Sequence, residues 1–326
     1  MVTLASVAVL VALAAAAWAV MIRMPGASHA GPLPPLTTAG GEARARLEAD
    51  VRHLATAIGE RNVPNPRGLE AAAAYIEKTL ADLGYRVESQ VYESDGVAVR
   101  NVEASLPGTL DEIVLVGAHY DSVHGTVGAN DNASGIAAML EIARRLAGRP
   151  LARTLRFVAF VNEEPPYFNV GEMGSQFYAR AAAARGDRIV AMLSLETLGY
   201  YSEEPGSQHY PFPFGLLYPD RGDFVAFVGN IGSGALVRRA IGTFRDSVAF
   251  PSQGVAAPPF VPGVFWSDHA SFWPHGVPAI MVTDTAVFRY PHYHTRDDVP
   301  DRLDYARLAR VVAGLTRVSE ALAAEP

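Results

Sequence analysis

The 326-residue chain contains no cysteine. That excludes disulfides, thiolate metal sites and cysteine nucleophiles together. Any metal must then be held by histidine and carboxylate. The compartment stays open, because cysteine-free proteins occur in oxidising and reducing places alike. Basic runs are missing as well. With 27 Lys and Arg against 34 Asp and Glu, the formal net charge is −7. Phosphate backbones need a basic footprint, so a nucleic-acid partner is not expected. No internal repeat is visible.

Charge is absent from residues 2–22, VTLASVAVLVALAAAAWAVMI. The length is about that needed to span a bilayer. A secretory signal has a shorter apolar core and a basic start, and no Lys or Arg precedes this run. Residues 1–23 are read as a transmembrane anchor, with a signal segment cleaved near Ser28-His29-Ala30 as the alternative. Both readings export the rest, either anchored at a membrane or secreted or periplasmic after cleavage. Residues 24–42, rich in Pro, Gly, Ser and Thr, read as a linker. Residues 43–326 form one globular domain.

Within it, periodicity predicts helices at about 43–59 and 67–83, the second ending at Gly84. Strand-like runs follow at about 85–93, 97–105 and 113–119. A helix opens after Asp131 with Ile136, Met139, Leu140 and Ile142 on its apolar face. Strands at about 154–161, 189–195, 224–229 and 278–283 alternate with helices at about 173–184 and 233–246, and Asp301 is the expected cap of a final helix to about 322. Strands from 113 onward are near-continuous apolar runs, as expected when both faces are covered. The fold expected is a three-layer α/β domain, a mixed, mostly parallel sheet between helices. Residues 201–222 and 250–264 read as long loops over one end.

Four apolar strands run into polar clusters at their carboxyl ends. IVLVGA meets His119 and Asp121, FVAFVN meets Glu163 and Glu164, IVAMLSL meets Glu196, and PAIMVT is followed within a dozen residues by His294. Ligands of open α/β sheets bind beyond these strand ends. Each residue also has an ordinary explanation. His119 and Asp121 fit a loop histidine beside a capping aspartate, Asp131 a helix cap that Asn132 or Ser134 would serve as well, and Glu196 simple exposure. His292 rivals His294. Glu163 and Glu164 are the sharpest case, since adjacent carboxylates at an apolar strand end repel and lose hydration, and a cation relieves both penalties. Jointly, His119, Asp131, Glu164, Glu196 and His294 give two imidazoles and three carboxylates. Such a set suits two divalent ions, most naturally Zn²⁺, with one carboxylate bridging.

The motifs GAHYDSV, GANDNASG, FVNEEP, LSLETLGY, WSDHASF and YHTRDDVPD occur in that order over about residues 112–304. Together they resemble the zinc-dependent exopeptidases of metallopeptidase family twenty-eight, the bacterial leucyl aminopeptidases and their relatives. The resemblance implies the zinc-exopeptidase fold, with a mixed sheet of about eight strands flanked by helices. It implies two Zn²⁺ per chain and hydrolysis of N-terminal residues from peptides with a free N-terminus, through a metal-activated bridging water. His119 and Glu196 would hold one zinc, Glu164 and His294 the other, and Asp131 would bridge, with a cis peptide before Asn132. Glu163 would be the general base and Asp121 the partner that orients His119. Several family members carry Asp where this chain has Glu196. Asp268 and His269 fall in the S-D-H motif and take supporting roles. The loop aromatics Tyr200, Tyr201, Phe212, Phe214, Phe265 and Trp266 are candidates for the side-chain pocket or for loop packing. The alternative within the resemblance is a single-zinc glutaminyl-peptide cyclotransferase, and a more distant one is a non-catalytic receptor-like domain. Oligomeric state is not legible.

Overall fold

The computed structural model describes residues 4–324. Helices α1 (Leu4–Met21), α2 (Thr38–Arg52) and α3 (Pro66–Asp82) come first, then strands β1 (Arg86–Ser94), β2 (Val97–Leu106) and β3 (Leu110–His119). Next are α4 (Gly135–Leu146), β4 (Arg153–Phe160), α5 (Gly174–Arg185) and β5 (Arg188–Glu196). The chain ends with β6 (Val225–Gly229), α6 (Gly234–Ser247), β7 (Ser252–Ala256), β8 (Ala279–Thr283) and α7 (Tyr305–Ala324).

The eight strands make one sheet in the order β1-β2-β4-β3-β5-β8-β6-β7. It is mixed. The centre, β4-β3-β5-β8, is parallel, and antiparallel pairing enters at β1-β2, β2-β4 and β6-β8. Helices cover both faces, which is why the central strands read as unbroken apolar runs. Ile136, Met139, Leu140 and Ile142 of α4 are fully buried, as are Val114, Val116, Leu155 and Phe157 beneath them. Each such side chain contributes about 1.5–3 kcal/mol relative to exposure. Gly117 makes room on the other face, since a Cβ there would lie 2.4 Å from the Phe160 ring.

Three expectations change. First, residues 250–264 are not all loop. The short segment Ser252–Ala256 pairs with β6 as an edge strand, although SQGVA carries little β-propensity of its own. Second, Asp301 does not cap α7. Asp304 does, its Oδ1 accepting from Arg307 N at 2.9 Å, while Asp301 pairs with Arg52 at 2.7 Å. Third, α2 starts inside the stretch read as linker, because Thr37 accepts a hydrogen bond from Gly40 N at 3.1 Å and closes the first turn.

The expected bilayer span finds no support. Among the described residues no helix is long and apolar enough to cross a membrane. Residues 1–3 of the expected span lie outside the described residues, which begin with the 18 residues of α1. After α1 the chain lies against the domain. Arg245 donates to the carbonyl of Pro25 at 2.8 Å, and Ser252 N donates to Ser28 Oγ at 2.9 Å.

Candidate metal centre

The four parallel strands end side by side, so their polar residues converge. His119 is the last residue of β3 and Glu196 the last of β5. Glu163 and Glu164 follow β4, where Tyr167 N closes a turn on the Glu164 carbonyl at 3.0 Å. Asp131 precedes α4, and His294 sits in the loop after β8 at a positive φ of 109°. Few non-glycine residues adopt that conformation, and it aims the imidazole inward.

Asp131 lies at the middle of the cluster. Its Oδ1 is 3.2 Å from His119 Nε2 and its Oδ2 is 3.0 Å from His294 Nε2. His119 Nε2 is also 3.4 Å from Glu196 Oε2 and 3.8 Å from Glu163 Oε2. On the other side His294 Nε2 is 3.4 Å from Glu164 Oε2. Two sets of donors therefore share Asp131, one of His119, Asp131 and Glu196, the other of Asp131, Glu164 and His294. His292 belongs to neither set.

The surrounding chain fixes each group. Asn132 takes the helix cap, its Oδ1 accepting from Gly135 N at 3.0 Å, and Ser134 Oγ accepts from Leu198 N. That leaves the Asp131 carboxylate free, and the peptide between Asp131 and Asn132 is cis. Gly128 makes the turn before it at a φ of +52°, and a Cβ there would stand 2.2 Å from the Asp131 carbonyl oxygen. Asp121 does more than face His119 Nδ1 at 3.4 Å. Its two oxygens accept from the backbone N–H groups of Glu163 and Glu164 at 3.1 and 3.0 Å. One carboxylate thus sets both adjacent glutamates. Ser267 Oγ donates to Glu196 Oε2 at 2.7 Å.

Electrostatically the cluster is incomplete. Burial, reinforced by neighbouring carboxylates, pushes Glu163 and Glu164 well above the usual carboxylate range, and burial raises Glu196. Burial alone would lower His119, but Glu196 and Glu163 outweigh it and hold the imidazole well above its ordinary value. Burial likewise would raise Asp131, yet the two histidines hold it below the usual range. Neither His119 nitrogen nor Asp131 Oδ1 has a hydrogen-bond partner. Buried polar atoms without partners are costly, and buried carboxylates facing imidazole nitrogens call for cations. The donor set, nitrogen and oxygen only, fits Zn²⁺.

Several residues here were not legible in the sequence. Asp298 accepts from Asn130 N at 2.8 Å and Asp131 N at 3.1 Å, and burial raises its carboxyl to about 6. Arg61 is fully buried, and its guanidinium donates to the carbonyls of Tyr120, Val127 and Gly128 beneath the cluster. Asp268 and His269, expected in supporting roles from the S-D-H motif, are fully buried; His269 Nε2 lies 2.8 Å from the Val264 carbonyl. Burial lifts Asp268 to about 7 and lowers His269 to about 4. Tyr293 stacks on His294, ring centroids 3.8 Å apart.

A pocket of about 130 Å³ opens beside the cluster, with Asp131, Glu163, Glu196 and Tyr293 on one wall and Phe224, Val228, Val264, Trp266 and Met281 among its apolar walls. Of the expected aromatics only Phe214 and Trp266 reach it. Tyr201 is buried against Phe250, Tyr200 packs on Tyr290, Phe265 packs on Phe168 and Phe212 points to solvent.

Residues 101–318 match the model of peptidase family M28. The chain belongs to that family. Family M28 membership makes it a hydrolase of the metallopeptidase class. It is 39% identical over 279 residues to the uncharacterized protein YfbL of Escherichia coli K12, covering 83% of this chain and 85% of that one. It is 29% identical over 222 residues to a probable leucine aminopeptidase of Arthroderma benhamiae, covering 64% of this chain and 54% of that protein. This M28 chain therefore spans just over half the length of that curated aminopeptidase. Its fold is that of BSAP, a zinc aminopeptidase from Bacillus subtilis, at a TM-score of 0.70 and 17% identity over 87% of this chain and 95% of that one. A glutaminyl cyclase from Fimbriiglobus ruber shares the fold at a TM-score of 0.63 and 20% identity, over 90% and 98% of the two chains.

Proposed function

We propose that the protein is a zinc-dependent aminopeptidase holding two metals per chain and removing N-terminal residues from peptides. The observation that carries this is the Asp131 carboxylate between two imidazoles, 3.2 Å from His119 and 3.0 Å from His294. His119, Asp131 and Glu196 would hold one zinc, and Asp131, Glu164 and His294 the other. Zinc held there would lower the pKa of a water and polarise a carbonyl oxygen.

Glu163 stands in the cluster but outside both ligand sets, on the pocket wall. From there it would take a proton from the attacking water and return it to the leaving amine. Asp121 keeps it in place through the backbone N–H. The Tyr293 phenol, kept protonated by burial and then by Asp131 and Glu164, is a donor available to a developing oxyanion at the same wall. The free α-amine of a peptide would meet carboxylates here, and its first side chain the apolar pocket. The cyclase reading requires only one metal and no attacking water; two complete ligand sets speak for hydrolysis.

Metal content of variants tests the shared ligand. Asp131→Ala is expected to lose both zincs on dialysis, whereas Glu196→Ala and His294→Ala each lose one, read by elemental analysis per folded chain. Unchanged content in Glu196→Ala removes that residue from the centre, and loss of a single zinc in Asp131→Ala removes the bridge.

A further inference from the structure

Outside α1, nine large apolar side chains are exposed among the described residues, and five of them border one pocket. Phe212, Leu216 and Phe260 are 89%, 79% and 84% exposed, and Leu217 and Val287 join them. All five sit in loops whose neighbouring residues line the pocket beside the metal centre: Pro211 and Phe214, Val261 and Pro262, Ala286 and Phe288. The pocket mouth is thus ringed by apolar tips from three separate loops. Exposed apolar clusters of this kind mark interaction sites.

Helix α1 leaves the domain at the same place. Met21, its last residue, packs against the apolar cluster that includes Phe224 and Val264, together with Tyr210, Phe214 and Val261 of the rim loops. Arg238 donates to the Val20 carbonyl at 3.0 Å and fixes that end. The helix carries no charge from Leu4 to Met21. Val9, Val11, Leu13, Trp18 and Val20 are 47–63% exposed. A helix apolar on all sides needs a non-aqueous cover, and among the described residues no helix is long and apolar enough to cross a bilayer.

We infer that the pocket rim and α1 together dock onto one face of a lipid bilayer, so that the mouth of the metal centre opens at the membrane surface. A fluid apolar layer covers tips from three loops with a cavity between them, whereas a rigid partner would need a matching shape. Aromatic and aliphatic tips suit the interfacial layer, and Arg23, exposed just after α1, suits anionic headgroups. The inference stands apart from the aminopeptidase reading, because it uses none of the ligand residues.

The absence of cysteine makes the test direct. In the full chain, Leu216→Cys and Phe260→Cys carry an environment-sensitive fluorophore. Val91→Cys on the far edge strand and Leu110→Cys at the start of β3 are exposed controls. With vesicles of phosphatidylcholine and phosphatidylglycerol, labels at 216 and 260 are expected to shift to the blue, brighten several-fold and be quenched by spin-labelled lipid, while those at 91 and 110 stay wet. Equal responses at all four positions, or none, overturn the inference even if α1 alone binds the vesicles. The same blue shift on concentrating the protein without lipid also overturns it, and assigns the rim to a second copy. Phe212→Cys and Leu217→Cys repeat the measurement should either first variant fail to fold.

Discussion

Glu163→Gln is expected to lower kcat by about a thousandfold with zinc content and KM nearly unchanged. The substitution keeps the shape of the side chain and removes its ability to carry a proton. Because Glu163 lies outside both ligand sets, the metals remain. Because the adjacent Glu164 is held independently by its own N–H bond to Asp121, its geometry remains too. Steady-state kinetics on an aminoacyl-nitroanilide, beside elemental analysis, checks both halves. Activity within tenfold of the parent would remove the proton-carrying role. Loss of zinc together with activity would make Glu163 a ligand.

The second large effect falls on stability. Arg61 is fully buried, and its guanidinium donates to the carbonyls of Leu54, Gly59, Tyr120, Val127 and Gly128. Burial lowers its pKa to about 10, so it stays charged at neutral pH. It holds the loop between His119 and Asp131 and places a positive charge under the carboxylates. Arg61→Met removes those donors and leaves the Gly59, Tyr120 and Val127 carbonyls without them, while Leu54 and Gly128 still accept from Gly59 N and Ala133 N. The expected loss is about 3–5 kcal/mol, a fall in Tm on the order of 10 °C. Arg61→Lys keeps the charge but not the planar fork, and recovers only part. Calorimetry of the metal-free proteins reads this directly. A Tm within experimental error of the parent would mean that the loop is held by other contacts.

The sheet was legible because its central strands are apolar on both faces and end in conspicuous polar clusters. His119, Glu163, Glu164 and Glu196 stand out for the same reason, at the ends of apolar strands, whereas Asp131 in GANDNASG and His294 in YPHYHTRDD are singled out only by the joint donor set and the family motifs. What sequence did not show depends on partners far along the chain. Arg61 lies in GERNVPNP, a stretch that looks like a solvated turn, and only the fold brings five carbonyls around it. Asp298 sits next to another aspartate in a polar loop, yet it alone reaches the N–H groups of Asn130 and Asp131. In sequence Asp121 reads as a partner of His119 alone, because the hydrogen bonds it accepts from Glu163 and Glu164 join the ends of two different strands. Residues 252–256 lacked strand character locally and pair because β6 offers an edge.

Stoichiometric reconstitution separates a two-metal hydrolase from a single-metal cyclase. Metal-free protein is titrated with zinc while two reactions are followed, release of nitroaniline from an aminoacyl-nitroanilide and cyclisation of a glutaminyl peptide. The expected result is two zinc ions bound per chain, hydrolysis that reaches its full rate only with the second, and no cyclisation. One zinc per chain with pyroglutamyl product and no hydrolysis would contradict it.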